Sequence, residues 1–161
     1  MAKFALGLGA NLGNRHGAIS FALQKLGAHP RIQLLAKAHL YETPPWGKKN
    51  QPTFLNTCAM VETSLSPIAL LKFCQTIEGR LGRVRREHWG ARTLDIDILW
   101  WSGRPLRTRD LTVPHPYLTK RAFALIPLSE IFPELIIART PISSWISQLP
   151  TKDLQSLKQL R

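Results

Sequence analysis

The chain has 161 residues and an apolar fraction of 44%, which suits one folded domain with a real core and argues against disorder. Its 22 lysines and arginines against 10 aspartates and glutamates give a net charge of +12, pointing to anionic partners such as nucleotide, nucleic acid or an acidic surface. The two cysteines, Cys58 and Cys74, stand in apolar patterns with no CxxC pair, and no apolar stretch reaches membrane-spanning length, so reduced core thiols and a cytoplasmic setting are the expectation.

Phe4, Leu6 and Leu8 alternate as a first strand, and Ile19, Ala22, Leu23 and Leu26 follow at helical spacing until Gly27 and Pro30 close the helix. Ile32, Leu34, Ala36, Ala38 and Leu40 alternate as a second strand running to Tyr41. A loop rich in Pro, Gly, Lys and Asn occupies 43–52, and Leu55, Thr57, Ala59 and Val61 then form a third strand. Ser66 and Pro67 open a helix whose Ile68, Leu71, Cys74 and Ile77 share one face, with Gly82 at its end. An arginine-rich loop over 82–91 leads to a strand carrying Asp95 and Asp97, and Ser102 and Gly103 make the turn after it.

Strand, helix, strand, strand, helix, strand is the βαββαβ order of a ferredoxin-like α+β core. The last third, punctuated by Pro114, Pro116, Pro127 and Pro133, is expected to add short helices and an edge strand, so that residues 1–161 make a single domain. Both long loops lie beside a rigid sheet, where such segments serve as functional lids or as tolerated surface, and the arginines concentrated in one of them favour lids.

The most informative run is RVRREHWGARTLDIDIL, residues 83–99. On a strand, Asp95 and Asp97 share one face about 7 Å apart, while Leu94, Ile96 and Ile98 turn to a core. Polar alternation is ordinary on a strand with one wet face. Aspartate is nevertheless disfavoured in strands and like charges at this spacing repel, so cations that offset the pair are the better account. Mg²⁺ takes one or two carboxylates together with phosphate oxygens, and arginine is the planar cation that suits phosphate. Arg83, Arg85, Arg86 and Arg92, with His115 and Arg121 further on, supply that charge; each alone could be a solvated surface group. Gly7, Gly9 and Gly13 space as GxGxxxG, one residue too long for the dinucleotide fingerprint, and no phosphate-loop motif occurs, so these glycines are read as shaping a turn.

HWGARTLDIDIL resembles the signature of the 6-hydroxymethyl-7,8-dihydropterin pyrophosphokinase family. GANLGN, YETPPWG, QPTFLNT, QTIEGRLGRVR and LTVPHPYLTKRAF are similar to further segments of that family, in the same order and nearly end to end. The resemblance implies transfer of pyrophosphate from ATP to a pterin alcohol on a ferredoxin-like sheet. It implies two magnesium ions on Asp95 and Asp97, with Arg83 and Arg92 stabilising the charge that develops in the transfer. It assigns the pterin to Thr43, Pro44, Trp46, Phe54, Asn56 and Phe123, where the two aromatic faces suit a flat heterocycle and the Asn56 amide can read its edge. It assigns ATP to Gln75, Arg83, Arg85, Trp89, Arg92, Ile98, Thr112, His115, Tyr117 and Arg121. Core packing is the competing reading for Phe54 and Phe123, and loop anchoring for Trp89. The chain departs from the family pattern at Ala10, where serine is common, and at His88, in a loop one residue shorter. A monomer without nucleic-acid or membrane partners is expected.

Two other classes share part of this pattern. A single-strand nucleic-acid module would use a basic ferredoxin-like sheet, but the aromatic-rich RNP sequence is missing: residues 56–62 read NTCAMVE. A metal-dependent nuclease would use the acid pair but leaves the first loop and the two phenylalanines without a role. The adjacent Trp100 and Trp101 have no assigned role in any of these readings.

Overall fold

The computed structural model describes residues 1–44, 52–81 and 93–160. Strand β1 (Ala2–Ala10) leads to helix α1 (Arg15–Ala28), followed by β2 (Ile32–Lys37), β3 (Tyr41–Thr43) and β4 (Phe54–Thr63). Helix α2 (Pro67–Arg80) precedes β5 (Asp95–Trp101), and the hairpin of β6 (Leu106–Arg107) and β7 (Thr112–Val113) comes next. After a 3₁₀ turn at Leu118–Lys120 the chain forms α3 (Ala122–Ile131), the hairpin of β8 (Ile136–Ile137) and β9 (Thr140–Pro141), α4 (Ile142–Ser147), α5 (Thr151–Gln155) and β10 (Lys158–Gln159).

The main sheet runs β10-β3-β4-β1-β5, with β2 also beside β4, and its pairings are antiparallel. Both helix starts carry the caps their sequences offer. The Asn14 side chain accepts from the Gly17 N–H at 2.9 Å and the Ser66 hydroxyl from the Ala69 N–H at 3.2 Å, each cap contributing about 1 kcal/mol. The apolar stripes of α1 and α2 then cover one sheet face. Phe4, Leu6 and Leu8 of β1 meet Ile19, Leu26, Leu70 and Ile77 there, together with Leu94, Ile96 and Ile98. The opposite face is covered by the last third of the chain, where Ala5, Cys58, Met60 and Leu99 pack under Leu118, Leu125, Leu128 and Ile142.

Two expectations are corrected. The second strand does not run unbroken to Tyr41. Lys37 pairs with Ala59 and Tyr41 with Asn56, so four steps on one strand match three on β4, and the extra residue breaks the segment into β2 and β3. Ala38 stays tied at the break, its N–H donating to the Cys58 carbonyl at 2.9 Å and its own carbonyl accepting from the Thr57 hydroxyl at 3.0 Å. The first glycines are not a turn either. Gly7 and Gly9 lie inside β1, and of the three only Gly13, at φ +63°, occupies a turn conformation that favours glycine.

A bulge accounts for the paired tryptophans. Ala5 pairs with Trp100 and Leu6 with Ile98, leaving Leu99 as the additional residue on β5. The parity of the strand changes there, so Leu99 and Trp100 both face the α3 side while Trp101 returns to the α1/α2 side. Trp101 stacks on Phe4 at 5.5 Å between ring centroids and donates its indole N–H to the Arg104 carbonyl at 2.7 Å. Trp100 meets Phe132 edge-on at 5.6 Å. Both are packing residues.

Candidate active site

The strand register builds the site. Gly9 pairs with Asn56 on one side and Asp95 on the other, and Gly7 pairs with Cys58 and Asp97. Asn56 and Asp95 thus stand two strand spacings apart, about 10 Å, with no side chain between them. Gly7 and Gly9 form the floor of a cavity of about 90 Å³ walled by Thr43, Pro44, Phe54, Asn56 and Phe123 and closed by Asp95, Asp97 and Arg121. Each predicted pterin residue among the described residues therefore lines one concave space; Trp46 lies outside the described residues.

A second, larger cavity of about 520 Å³ opens on the far side of β5. Gln75, Glu78, Ile98, Thr112 and His115 line it together with Arg109 and Asp110, and Asp95 and Asp97 line it too. Of the residues assigned to ATP, Gln75, Ile98, Thr112 and His115 gather here. Arg121 lines the first cavity instead, its guanidinium 5.4 Å from the Phe123 ring centre and 4.9 Å from that of Tyr117. Tyr117 lies beside His115 and Arg121. Arg83, Arg85, Trp89 and Arg92 fall outside the described residues.

Asp95 and Asp97 owe their aim to the sheet edge. β5 is the last strand, and the Ile96 N–H between the two aspartates donates to Glu78 Oε2 at 2.7 Å. Glu78, in the last turn of α2, is only 3% exposed. A buried carboxylate thereby takes the place of a neighbouring strand and fixes the backbone that carries the acid pair. Sequence reasoning passed over Glu78, although it lies four residues beyond Cys74 on the apolar stripe of α2, where a carboxylate needs a partner. It also misread Gly7 and Gly9, whose signal is the alternation of large and minimal residues in FALGLGA.

The segment between β3, which ends at Thr43, and β4 is gripped at its two ends by the turn after β1 and the first residue of α1. Asn11, 2% exposed, donates its side-chain N–H to the Pro52 carbonyl at 3.1 Å. Arg15 donates to the Thr53 carbonyl and hydroxyl at 3.2 and 3.1 Å and to Glu42 Oε2 at 3.2 Å. The GANLGN segment and the loop ends are thus one mechanical unit.

His115 borders the acid pair. Burial pushes its imidazole down to about 4, the Arg121 charge pushes it the same way, and Asp95 pulls against both. The ring is uncharged at neutral pH, and its Nδ1 accepts from the Tyr117 N–H at 3.1 Å, which leaves the ring proton on Nε2 as a hydrogen-bond donor. Among the described residues no group of three or more His, Cys, Asp or Glu side chains is close enough to hold a metal unaided. Two carboxylates fit a hard divalent cation whose remaining ligands come from substrate phosphate and water.

An aromatic-walled cavity and a larger, more polar one share a pair of carboxylates, an arrangement suited to an enzyme that brings two unlike substrates to one charged centre. The family model of 7,8-dihydro-6-hydroxymethylpterin-pyrophosphokinase matches residues 5–133. The 2-amino-4-hydroxy-6-hydroxymethyldihydropteridine pyrophosphokinase of Methylorubrum extorquens is 37% identical over 158 residues, covering 98% of this chain and 100% of the relative. That of Aquifex aeolicus is 42% identical over 147 residues, 90% of this chain and 91% of its own. Among solved structures, a Plasmodium falciparum HPPK-DHPS superimposes with a TM-score of 0.70 at 15% identity, over 99% of this chain and 47% of the longer one, which speaks to the fold alone. The chain belongs to the 7,8-dihydro-6-hydroxymethylpterin-pyrophosphokinase family.

Proposed function

We infer that this protein transfers pyrophosphate from ATP to 6-hydroxymethyl-7,8-dihydropterin, releasing AMP, as a step of folate biosynthesis. The observation that carries the reading is the position of Asp95 and Asp97, which line both cavities at once. The pterin lies in the first cavity against Phe54 and Phe123, its edge read by Asn56, and the triphosphate reaches the acid pair from the second. The hydroxymethyl oxygen bonds to the β-phosphorus while the bond from that phosphorus to the oxygen bridging the α-phosphorus breaks. The electron pair leaves with AMP and the hydroxyl proton passes to solvent.

Such chemistry asks chiefly for alignment and charge neutralisation, which divides the labour among the residues. Glu78 holds the β5 backbone in register, the stem contacts of Asn11 and Arg15 hold Thr43 and Phe54 at the cavity wall, and the uncharged His115 offers its Nε2 proton to a phosphate oxygen. Asp95 and Asp97 would hold two Mg²⁺ ions, which when bound neutralise triphosphate charge and acidify the attacking hydroxyl. Arg83 and Arg92 are the proposed counter-charges to the transferring group, with Arg85 and Trp89 on the nucleotide and Trp46 on the pterin. The strand order β5-β1-β4-β2, with α1 and α2 on one face, supports reading the core as ferredoxin-like. A donor as abundant inside cells as ATP agrees with a cytoplasmic setting, and a monomer acting as one domain is proposed with it.

The test is AMP formation from ATP, Mg²⁺ and the pterin alcohol. AMP release should depend strictly on the pterin, and Asp97→Ala should lower the rate by about a hundredfold or more while its melting temperature stays close to that of the parent. Pterin-independent ATP cleavage, or an Asp97→Ala rate near the parent's, would overturn the reading.

A further inference from the structure

We propose that Gly9 is a specificity-determining position for the pterin: having no side chain, it lets Asn56 hold its carboxamide over the cavity floor. The inference rests on the reading that the pterin occupies the first cavity. Gly9 is the pairing partner of both Asn56 and Asp95. A Cβ built on it would stand 2.6 Å from Asn56 Oδ1, 3.7 Å from Asn56 Cγ and 3.8 Å from the Leu55 carbonyl oxygen. Carbon and oxygen settle no closer than about 3.3 Å, so the amide would have to move.

It cannot move cheaply. Asn56 is 7% exposed, and its Nδ2 donates at 2.8 Å to the hydroxyl of Thr43, itself 4% exposed, so turning the amide away breaks a buried hydrogen bond. Gly9 is not among the residues with positive φ, so alanine meets no backbone strain there and its closest contact is the Asn56 amide. Gly7 makes the contrast: a Cβ there meets the apolar Leu99 side chain, with Cδ1 at 3.2 Å and Cδ2 and Cγ at 3.4 Å, so a few tenths of an ångström of give suffice and no hydrogen bond is broken. The larger cavity has neither Gly9, Asn56 nor Thr43 in its wall, so the nucleotide is insulated from the change. An amide presenting both donor and acceptor is what distinguishes one heterocycle edge from another, and Gly9 governs where that amide stands.

The experiment titrates 6-hydroxymethylpterin, followed by its own fluorescence, into enzyme holding Mg²⁺ and the non-transferable α,β-methylene-ATP. The parent, Gly9→Ala, Asn56→Ala and the double variant are compared. Gly9→Ala and Asn56→Ala should each weaken the pterin by about tenfold or more, with affinity for the ATP analogue within about twofold of the parent. The double variant should bind no more weakly than Asn56→Ala alone, because alanine at 56 has no Oδ1 to displace. Gly9→Ala binding like the parent while Asn56→Ala fails would overturn the inference and leave the site reading standing. Asn56→Ala binding like the parent would overturn the site reading and the inference with it. Additive losses in the double variant would also overturn the inference. Should Gly9→Ala alone fail to fold, melting temperatures decide: a double variant melting with Asn56→Ala supports the inference, and one melting well below it refutes it.

Discussion

A single buried carboxylate, Glu78, stands in for the strand that β5 lacks at its outer edge. Glu78→Ala would leave the Ile96 N–H without that acceptor, costing about 1–3 kcal/mol in urea denaturation, and would lower kcat more than it raises KM because the aspartates lose their register. Glu78→Gln keeps an acceptor oxygen and should recover most of both. At this scale the carboxylate pair was readable from spacing, since alternation alone put Asp95 and Asp97 on one face with Ile96 and Ile98 on the other. The glycines were not. Gly7 and Gly9 were weighed against nucleotide-binding turns, whereas their meaning depends on which residues stand across from them on β4 and β5. Register is a property of the paired strands, and a single strand's sequence does not carry it.

Among the elements, the β1–α1 turn acts as a clamp on the following loop. Arg15→Ala should raise the KM for the pterin several-fold and leave that for ATP unchanged, since its partners Thr53 and Glu42 flank the first cavity's wall; steady-state kinetics with each substrate varied will show it. A second junction joins α3, β3 and β10. Glu130 of α3 accepts from the Tyr41 hydroxyl at 2.7 Å and from the His39 N–H at 3.0 Å, and its carboxylate lies 2.7 Å from the His39 ring. Burial raises the Glu130 carboxyl, but the Tyr41 and His39 contacts outweigh it and hold the group below its ordinary 4.5. A carboxyl depressed in the folded state stabilises above its unfolded value and loses that contribution as pH falls through the folded one. The melting temperature of Glu130→Gln should therefore lie below the parent's near pH 6, with the gap narrowing as the pH falls below the ordinary 4.5. The six elements of the core were legible in order because strong periodicities and caps marked them. The split of β2 from β3 and the Leu99 bulge were not, because each arises from an extra residue accommodated against a neighbouring strand.

Among the described residues, α1 and α2 cover one face of the sheet and the last third of the chain packs on the other. Side chains from β1 fill the helix side with Phe4, Leu6 and Leu8, while Gly7 and Gly9 thin the opposite side and leave the first cavity over it. The short elements after β7 close only the end near Ala5 and Met60, and their placement depends on tertiary packing that short, proline-broken segments do not announce. No helix among the described residues is long and apolar enough to cross a membrane. The acid pair beside an arginine cluster in the sequence pointed to a metal-bound polyphosphate, and the run of family-like segments from GANLGN to LTVPHPYLTKRAF narrowed that to one reaction. What sequence could not supply was the geometry that sets one carboxylate pair in the walls of two cavities.

The proposed reaction specifies which bond of ATP is cut. ³¹P NMR of the complete reaction should show AMP together with a pterin carrying two linked phosphorus atoms, both derived from the donor's β and γ positions. ADP with a singly phosphorylated pterin, or AMP with free pyrophosphate and an unmodified pterin, would contradict the account.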